Sequence, residues 1–464
     1  MKIMFNKVPD KYLFVVLFII ALCISSSFMI YSVHKGIEIS SDNRYYFNLG
    51  KEFFEHGITN AYSKSMPDAG LIYVGPLEPL IIGLLIKLFG ASWLPIRIFN
   101  LLVFSFIPLF IFKISIILKQ RLPGLLSALA IIVYIPLLRS TLQAGKDLYM
   151  VLFLVIFVFL LLKLFENPNN ILSYINLGVC LALAIHLDER FVILIPLLFI
   201  IYIYILTKKM PKILPKIIYS IFIILFISAP WMIRNYIVYN KIVLLTIRLS
   251  PFIDPILGQP EFKNLGNYSS LFVVNEAQID SIKAGTKVVY YGNYLQRPTE
   301  ILPIHSSAIE AIKNNNIPHK FSKTERLFNS FREFYLPLTL KGHWSGIGYT
   351  YMPKYTIKGI IREILQYYIF LPFFFIGLVI LYKRSRLQTI LLLSVIIFYS
   401  GLCIIAVDFT LSRYRLPLDP IINLMAMIGL VWILNYMFYR RKLLGKKSYI
   451  EELAICSRRF KNKS

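Results

Sequence analysis

Long apolar segments constrain this chain more than any other feature. A helix needs about 20 mostly apolar residues to cross the hydrocarbon core of a bilayer. Of the 464 residues, 57% are hydrophobic and only 16% are charged. This pattern predicts an all-α polytopic membrane protein with about 10 transmembrane helices. The predicted spans are 12–33, 95–118, 122–139, 148–165, 171–187, 190–207, 213–231, 357–382, 387–407 and 416–438.

The short apolar stretch 79–89 decides the predicted topology. It contains Lys87 and is too short for a comfortable crossing, so we interpret it as an interfacial or re-entrant helix on the outer face. The Lys- and Arg-rich turns and the basic tail then all lie on the cytoplasmic side, as the positive-inside rule requires, and both termini are cytoplasmic. If the stretch crossed, these clusters would lie outside. The net charge of +26 therefore reflects topology and anionic headgroups, and no nucleic-acid partner is predicted.

The predicted spans divide the chain into four parts. Residues 1–231 form an N-terminal membrane core that includes a first outer loop over 34–94. Residues 232–356 form a large extracytoplasmic loop, which we predict to be a small soluble domain. Residues 357–438 contain the C-terminal membrane helices, and 439–464 are a basic cytoplasmic tail. The four cysteines lie in apolar runs or in the tail, so no disulfide framework is predicted.

Ionisable residues collect at the outer ends of the predicted helices. Each of them alone could cap a helix or pair with a neighbour, but outer arginines run against the positive-inside trend. An anionic ligand would explain them, and a lipid phosphate fits because guanidinium offers it a bidentate fork. The outer ionisable residues are Asp42, Arg139, Lys146, Asp147, Asp188, Glu189, Arg190, Arg234, Asp408, Arg413, Arg415 and Asp419.

These residue types suit the transfer of a sugar from a polyprenyl phosphate. A carboxylate such as Asp42 can hold and partly deprotonate an acceptor hydroxyl. Cations can stabilise the departing phosphate. An apolar groove between spans can keep the polyprenyl tail in the lipid while its head reaches water.

Four motifs, in order along the chain, resemble those of one enzyme class. Asp42-Asn43-Arg44-Tyr45-Tyr46 is similar to the first-loop D-x-x-x-Y motif of the GT-C glycosyltransferases. Pro76-x-x-Pro79-Leu80, followed by Leu88-Phe89-Gly90 and Arg97, resembles the protein O-mannosyltransferase (family 39) and aminoarabinose transferase branch. Pro230-Trp231-x-Ile233-Arg234-Asn235-Tyr236 and Arg413-Tyr414-Arg415-x-Pro417-x-x-Pro420 resemble segments of bacterial members.

The resemblance implies an inverting glycosyltransferase in the bacterial cytoplasmic (inner) membrane, with its active site on the extracytoplasmic face. Its implied catalytic carboxylates are Asp42 and Asp147, for which helix capping is the alternative. Its implied ligands for the donor phosphate are Arg190, Arg234, Arg413 and Arg415. Further donor or acceptor contacts are expected from Arg44, Tyr46, Glu78 and Lys146, with packing as the alternative for Tyr46.

Two departures leave the donor sugar and the acceptor open. Aminoarabinose-type relatives have a lysine just before the proline pair, where this chain has Gly75. The pair itself is spread as Pro76-Leu77-Glu78-Pro79, so Glu78 is an unusual residue here, for which an acceptor contact and a surface charge are the two alternatives. The expected partners are a polyprenyl-phosphate-linked sugar, an envelope lipid, glycan or protein as acceptor, and the bilayer.

No cofactor is predicted. The histidines lack ligand spacing and no acidic cluster demands a metal, although some GT-C enzymes use a divalent cation. One alternative is a transporter or flippase of lipid-linked sugars. The charges at one face and the lack of repeated halves speak against it, because transporters commonly place polar sites near the midplane. Another is a relative that binds such sugars without transferring them.

Overall fold

The computed structural model describes residues 8–36, 41–60, 75–207, 213–239, 243–245, 370–405 and 412–438, and residues 324, 327, 331 and 334. All regular structure in these parts is helical. The first eight α-helices are α1 (Asp10–His34), α2 (Ser41–Asn60), α3 (Leu77–Phe89), α4 (Trp93–Ile117), α5 (Arg121–Ile132), α6 (Ile135–Ser140), α7 (Asp147–Glu166) and α8 (Ile171–Leu187). The others are α9 (Leu194–Thr207), α10 (Leu214–Tyr239), α11 (Phe370–Arg384), α12 (Arg386–Ile405) and α13 (Asp419–Phe438). Two 3-10 helices, Glu189–Ile193 and Ser412–Arg415, precede α9 and α13.

Among the described residues, seven helical segments are long and apolar enough to cross a bilayer. They are α1, α4, α7, the continuous segment Glu189–Thr207, α10, α12 and α13. The shorter α5 and α8 are also apolar. The all-helical, multi-pass character predicted from the sequence is thus confirmed. The count of about ten spans stays a prediction, and residues 246–323 of the predicted loop domain lie outside the described residues.

Ring contacts show how neighbouring helices run. Phe14 of α1 contacts Phe112 of α4, and Phe18 contacts Phe106, so these two helices are antiparallel. By contrast, α4 and α7 are parallel, because Phe99 contacts Tyr149 at one end and Phe110 contacts Phe159 further along. Parallel packing of α4 and α7 is what three consecutive crossings by α4, the α5–α6 segment and α7 produce.

The predicted span 122–139 is not one continuous helix. It is divided into α5 and α6, with the backbone of Tyr134 extended at φ −75° and ψ 103°. Pro136 has no N–H to donate to the carbonyl four residues earlier, which interrupts the helical hydrogen bonds at this point. The Tyr134 hydroxyl donates instead to the Asp419 carboxylate at 2.6 Å, which joins this break to α13.

The stretch predicted to lie at the outer face is α3, whose 13 residues are short for a crossing. It packs closely on α2, where a Cβ built on Gly83 would lie 2.6 Å from the Gly50 carbonyl oxygen. Lys87 lies over the Phe54 ring of α2 at 4.6 Å. The pair α2–α3 therefore forms a unit beside the long helices and brings its residues to the start of α4.

Candidate functional site

Ionisable side chains from three segments meet at one end of the bundle. We call Glu78, Lys146, Asp147, Asp188 and Arg190 the polar cluster. Glu78 lies in the first turn of α3, Lys146 and Asp147 at the start of α7, and Asp188 and Arg190 just after α8. The cluster thus unites three segments that are far apart in the sequence.

Asp188 is the centre of the polar cluster and is 0% exposed. Lys146 Nζ lies 2.5 Å from its Oδ2, and Arg190 donates from Nε at 2.7 Å and from Nη2 at 2.9 Å. Burial alone would raise the pKa of Asp188, but the Arg190 guanidinium and the Lys146 ammonium hold it well below its usual range. Asp188 is therefore ionised and neutralises buried cations.

Arg190, a predicted phosphate ligand, is held from several sides. Besides its bidentate contact with Asp188, its Nη2 lies 3.2 Å from Met150 Sδ. Its guanidinium carbon lies 4.5 Å from the centre of the Tyr414 ring, which brings the Arg413–Arg415 turn to the polar cluster. The structure thus brings the Arg413–Pro420 motif to the polar cluster, which also contains Glu78 of the Pro76–Pro79 motif.

Glu78 is 1% exposed, and neither of its carboxylate oxygens has a hydrogen-bond partner among the described residues. Burial raises the pKa of Glu78 well above its ordinary value of 4.5, Lys146 opposes that rise, and the charges of Asp147 and Asp188 add to it. A buried polar group without a partner is uncommon and costly in native proteins. Burial therefore favours the protonated form of this carboxyl group, whose hydrogen-bonding capacity is unused among the described residues.

Asp147 differs from Glu78 in its exposure. It is the first residue of α7, is partly exposed, and forms no hydrogen bond or ion pair within the described part of the chain. The N-cap position is Lys146, without a side-chain capping bond. The capping alternative considered for Asp147 is thus not what the structure shows, and its carboxylate is accessible at the cluster.

The D-x-x-x-Y segment lies in the first turns of α2. The backbones of Asp42 and Arg44 are helical, and their side chains lie outside the described residues. Tyr46 packs against an apolar cluster that includes Ala144, two residues before Lys146. The packing alternative for Tyr46 therefore has support, and the beginning of α2 lies close to the polar cluster.

Residues of the Pro230–Tyr236 motif hold the chain that returns after α10. Trp231 Nε1 donates to the Leu245 carbonyl at 2.8 Å, and Asn235 Nδ2 donates to the Val243 carbonyl at 3.1 Å. Arg234 is 5% exposed, donates to Asn235 Oδ1 at 3.0 Å and lies 5.1 Å from the Trp231 ring centre. Three motif residues therefore have structural contacts that explain their presence.

Arg415 is also engaged within the protein. It is 4% exposed, and its Nε donates to Asp419 Oδ1 at 2.8 Å. Its Nη1 donates to the Phe334 carbonyl at 3.2 Å. The side chain of Arg413 lies outside the described residues. Arg190 and Arg415 are thus alike in that each is paired with an aspartate, which is fully buried for Arg190 and slightly exposed for Arg415.

The sequence analysis assigned no role to Arg97, Asn100 and Tyr149, which support the segment before Lys146. Asn100 donates to the carbonyls of Thr141 at 3.2 Å and Gln143 at 2.7 Å, and the Tyr149 hydroxyl donates to Asn100 Oδ1 at 2.7 Å. Arg97 Nε donates to the carbonyl of residue 142 at 3.3 Å. Arg97 and Asn100 are two polar residues three positions apart in an otherwise apolar run, and this spacing could have indicated that they support a neighbouring segment.

Close packing around position 75 explains why this chain has glycine there and not the lysine of the aminoarabinose-type relatives. A Cβ built on Gly75 would lie 2.0 Å from the His186 carbonyl oxygen, so this position has no room for a side chain. We expect Gly75→Ala to lower the midpoint of thermal unfolding in detergent, with a stability loss of about 1–3 kcal/mol from overpacking. Gly401→Ala is the control, since nothing lies within 4 Å of its added Cβ in α12. An unchanged midpoint for Gly75→Ala would contradict the close contact.

Part of the chain matches one family of known proteins. Residues 73–233 match the family model described as dolichyl-phosphate-mannose-protein mannosyltransferase. The matched region contains the whole polar cluster, and it confirms the resemblance to this branch of the GT-C superfamily that the motifs predicted. No curated protein matches the chain. The family match and the apolar helices together indicate a multi-pass membrane protein of the glycosyltransferase type. Among the described residues, no three His, Cys, Asp or Glu side chains are placed to hold a metal ion.

Proposed function

We propose that this chain, as a relative of the mannosyltransferase family matched over residues 73–233, transfers a sugar from a polyprenyl-phosphate donor to an envelope acceptor. The observation that carries the proposal is the polar cluster, which lies at one end of the helices and inside the matched region. By the predicted topology, this end is extracytoplasmic. The polyprenyl tail can then stay in the bilayer while the sugar reaches the cluster.

The proposed reaction is an inverting displacement at the anomeric carbon. The acceptor hydroxyl oxygen forms the new bond to that carbon, and its proton passes to the Asp42 carboxylate. The bond to the phosphate oxygen breaks, and the polyprenyl phosphate leaves with the electron pair. Asp147 is accessible at the cluster and is proposed to orient the acceptor. The acceptor is a lipid, a glycan or a protein.

Cations at this end are proposed to stabilise the leaving phosphate. The proposed ligands are Arg190, Arg234, Arg413 and Arg415. Arg190 is paired with the buried Asp188 and Arg415 with Asp419, so a phosphate gains less from their charge than from an arginine without such a partner. Removal of either therefore tests folding as well as binding.

Glu78 is proposed to contact hydroxyl groups of the donor sugar or the acceptor, together with Lys146, Arg44 and Tyr46. Its buried carboxyl group lacks partners within the described chain, and a sugar hydroxyl can both donate to it and accept from it. Binding of such a hydroxyl would remove the cost of leaving the carboxyl group unpartnered.

We expect Glu78→Gln to stabilise the protein at neutral pH and to slow transfer. The pKa of Glu78 is raised by folding, so the folded state binds a proton that the unfolded state releases above about pH 4.5. Wild-type stability should therefore fall as pH rises from that value, whereas the glutamine side chain does not titrate. Unfolding midpoints of both proteins across pH measure the difference, which should increase with pH.

Glu78→Ala tests the proposed hydrogen bond to a substrate hydroxyl separately from the titration of the Glu78 carboxyl group. It should lower transfer by about ten- to a hundredfold, as expected for one or two lost hydrogen bonds, and more than Glu78→Gln does. Unchanged transfer in Glu78→Ala would remove Glu78 from the substrate site. A stability difference between wild type and Glu78→Gln that is constant across pH would contradict the raised pKa.

The proposed function is tested by mass spectrometry of envelope lipids and glycans from cells with and without the protein. A glycosylated product that depends on the protein is expected. Purified protein supplied with a polyprenyl-phosphate sugar and the acceptor identified in this way should then release polyprenyl phosphate. No change in any envelope product would contradict transfer, and movement of the lipid-linked sugar across vesicles without a new product would favour the transporter alternative.

A further inference from the structure

Two lysines lie at the end of α4 and α7 that is opposite to the polar cluster. Lys113 is four residues before the end of α4, and Lys163 is three residues before the end of α7. The two helices are parallel, with contacts from Asn100 to Tyr149 and from Phe110 to Phe159, so the lysines lie at the same depth. Lys113 is 13 residues beyond Asn100, or about 20 Å along the helix axis.

The two ammonium groups flank one aromatic ring. Lys113 Nζ lies 5.7 Å from the centre of the Phe159 ring, and Lys163 Nζ lies 5.9 Å from the same centre. Lys113 Nζ is also 5.0 Å from the Phe110 ring centre and 5.6 Å from that of Phe14. These distances are within the range of cation–π attraction, which stabilises a cation but does not neutralise it.

Neither lysine forms an ion pair within the described part of the chain. Glu166 is one turn beyond Lys163 but is not paired with it. Lys163 lies in the last turn of α7 and benefits from the helix dipole, and Lys113 lies just before the last turn of α4. They lie about 5–6 Å from the helix ends, which is near the boundary of headgroups and hydrocarbon, where lipid phosphates are present and unpaired charge is unfavourable.

An apolar stripe leads from the lysines towards the middle of the bilayer. Ile98, Leu102 and Phe106 of α4 are spaced by four residues and are 48%, 40% and 45% exposed. Phe110 continues this spacing to the turn that carries Lys113. A lipid whose phosphate lies between the lysines can place an acyl chain along this stripe, whereas a free phosphate makes no use of it.

We propose that Lys113, Lys163 and Phe159 form a binding site for the phosphate group of an anionic lipid in the leaflet at this end of the bundle. By the predicted topology this is the cytoplasmic leaflet. The site is separate from the polar cluster and does not depend on the transfer reaction. Two lysines supply point charges for the phosphate, and the phenylalanine rings provide the apolar surroundings.

The experiment is a titration of the detergent-solubilised full chain with phosphatidylglycerol, followed by native mass spectrometry. Each basic residue near an anionic membrane contributes about fivefold to binding, so Lys113→Gln with Lys163→Gln should weaken binding at this site by about 30-fold. Lys113→Arg with Lys163→Arg keeps both charges and should bind within a few-fold of wild type. Lys383→Gln, an exposed lysine in another predicted cytoplasmic turn, should bind as wild type does.

Phosphatidylcholine and inorganic phosphate are the other probes. Phosphatidylcholine should bind wild type and the double glutamine variant equally, and inorganic phosphate should not displace phosphatidylglycerol at equal concentration. Unchanged phosphatidylglycerol binding in the folded double glutamine variant would overturn the proposal. Displacement by equimolar inorganic phosphate would also overturn it, because the acyl chain would then contribute nothing.

Discussion

Replacing Asp188 with asparagine is expected to lower the free energy of unfolding by about 3–5 kcal/mol, the usual cost of removing one partner from a buried ion pair. The Asp188 carboxylate is 0% exposed and contacts both Lys146 and Arg190, so its loss leaves two buried cations without a counter-charge. It also accepts a bond from the Arg190 backbone N–H at 2.9 Å. Unfolding of the purified protein in detergent measures the loss.

The contacts among Asp188, Lys146 and Arg190 predict which substitution costs more stability. Lys146→Met should cost less than Asp188→Asn, because Arg190 alone still neutralises the carboxylate through two hydrogen bonds. The matched control is Glu55→Gln, which removes an exposed pair with Lys51 at 3.6 Å and should cost only a few tenths of a kcal/mol. Equal losses for Lys146→Met and Asp188→Asn would contradict Asp188 as the centre of the cluster.

Asp42→Asn is expected to lower transfer by about a hundredfold to ten-thousandfold, the range supplied by a positioned acid or base. Asparagine keeps the size of the side chain but cannot take the acceptor proton. Stability should change little compared with Asp188→Asn, which separates a chemical effect from a folding effect. The protein-dependent envelope product, quantified in cells that carry each variant, measures transfer.

Asp147→Asn in the same assay tests the second carboxylate. Asp147 is accessible beside Glu78, so its replacement should slow transfer while the purified variant unfolds near the wild-type midpoint. Glu55→Gln, on the same helix as Asp42, should leave transfer unchanged. Undiminished transfer in Asp42→Asn would show that Asp42 is not the catalytic carboxylate. If the wild-type protein binds the lipid-linked sugar but forms no product, the alternative of a protein that binds such sugars without transferring them would be favoured.

Several features of the fold could be predicted from the sequence because they depend on nearby residues. A crossing requires an apolar run of about 20 residues, and each run can be recognised without knowing its neighbours. The same rule indicated that 79–89 is too short, and it forms the 13-residue α3 beside α2. It did not predict the division of 122–139, because Pro136 had to be weighed against an otherwise apolar segment.

The candidate site was predictable only in its general position. The topology collected Lys146, Asp147, Asp188 and Arg190 at one level, and the structure joins three of them through the carboxylate of Asp188. The sequence interpretation treated Arg190 and Arg415 as equivalent phosphate ligands. In the structure each is also paired with an aspartate, Asp188 or Asp419, and their positions in the sequence do not reveal this pairing.

By itself, the sequence determined that the chain is a helical membrane protein, which end of the helices collects ionisable residues, and which enzyme family it resembles. Apolar runs and the positions of charged residues are sufficient for the first two conclusions, and the third depends on the resemblance of four motifs. The tertiary structure decided which charges neutralise each other, why position 75 is glycine, and that Glu78 is buried without a partner in the described chain. Those outcomes depend on distances between helices that are far apart in the sequence, because electrostatic and packing energies change over a few ångströms.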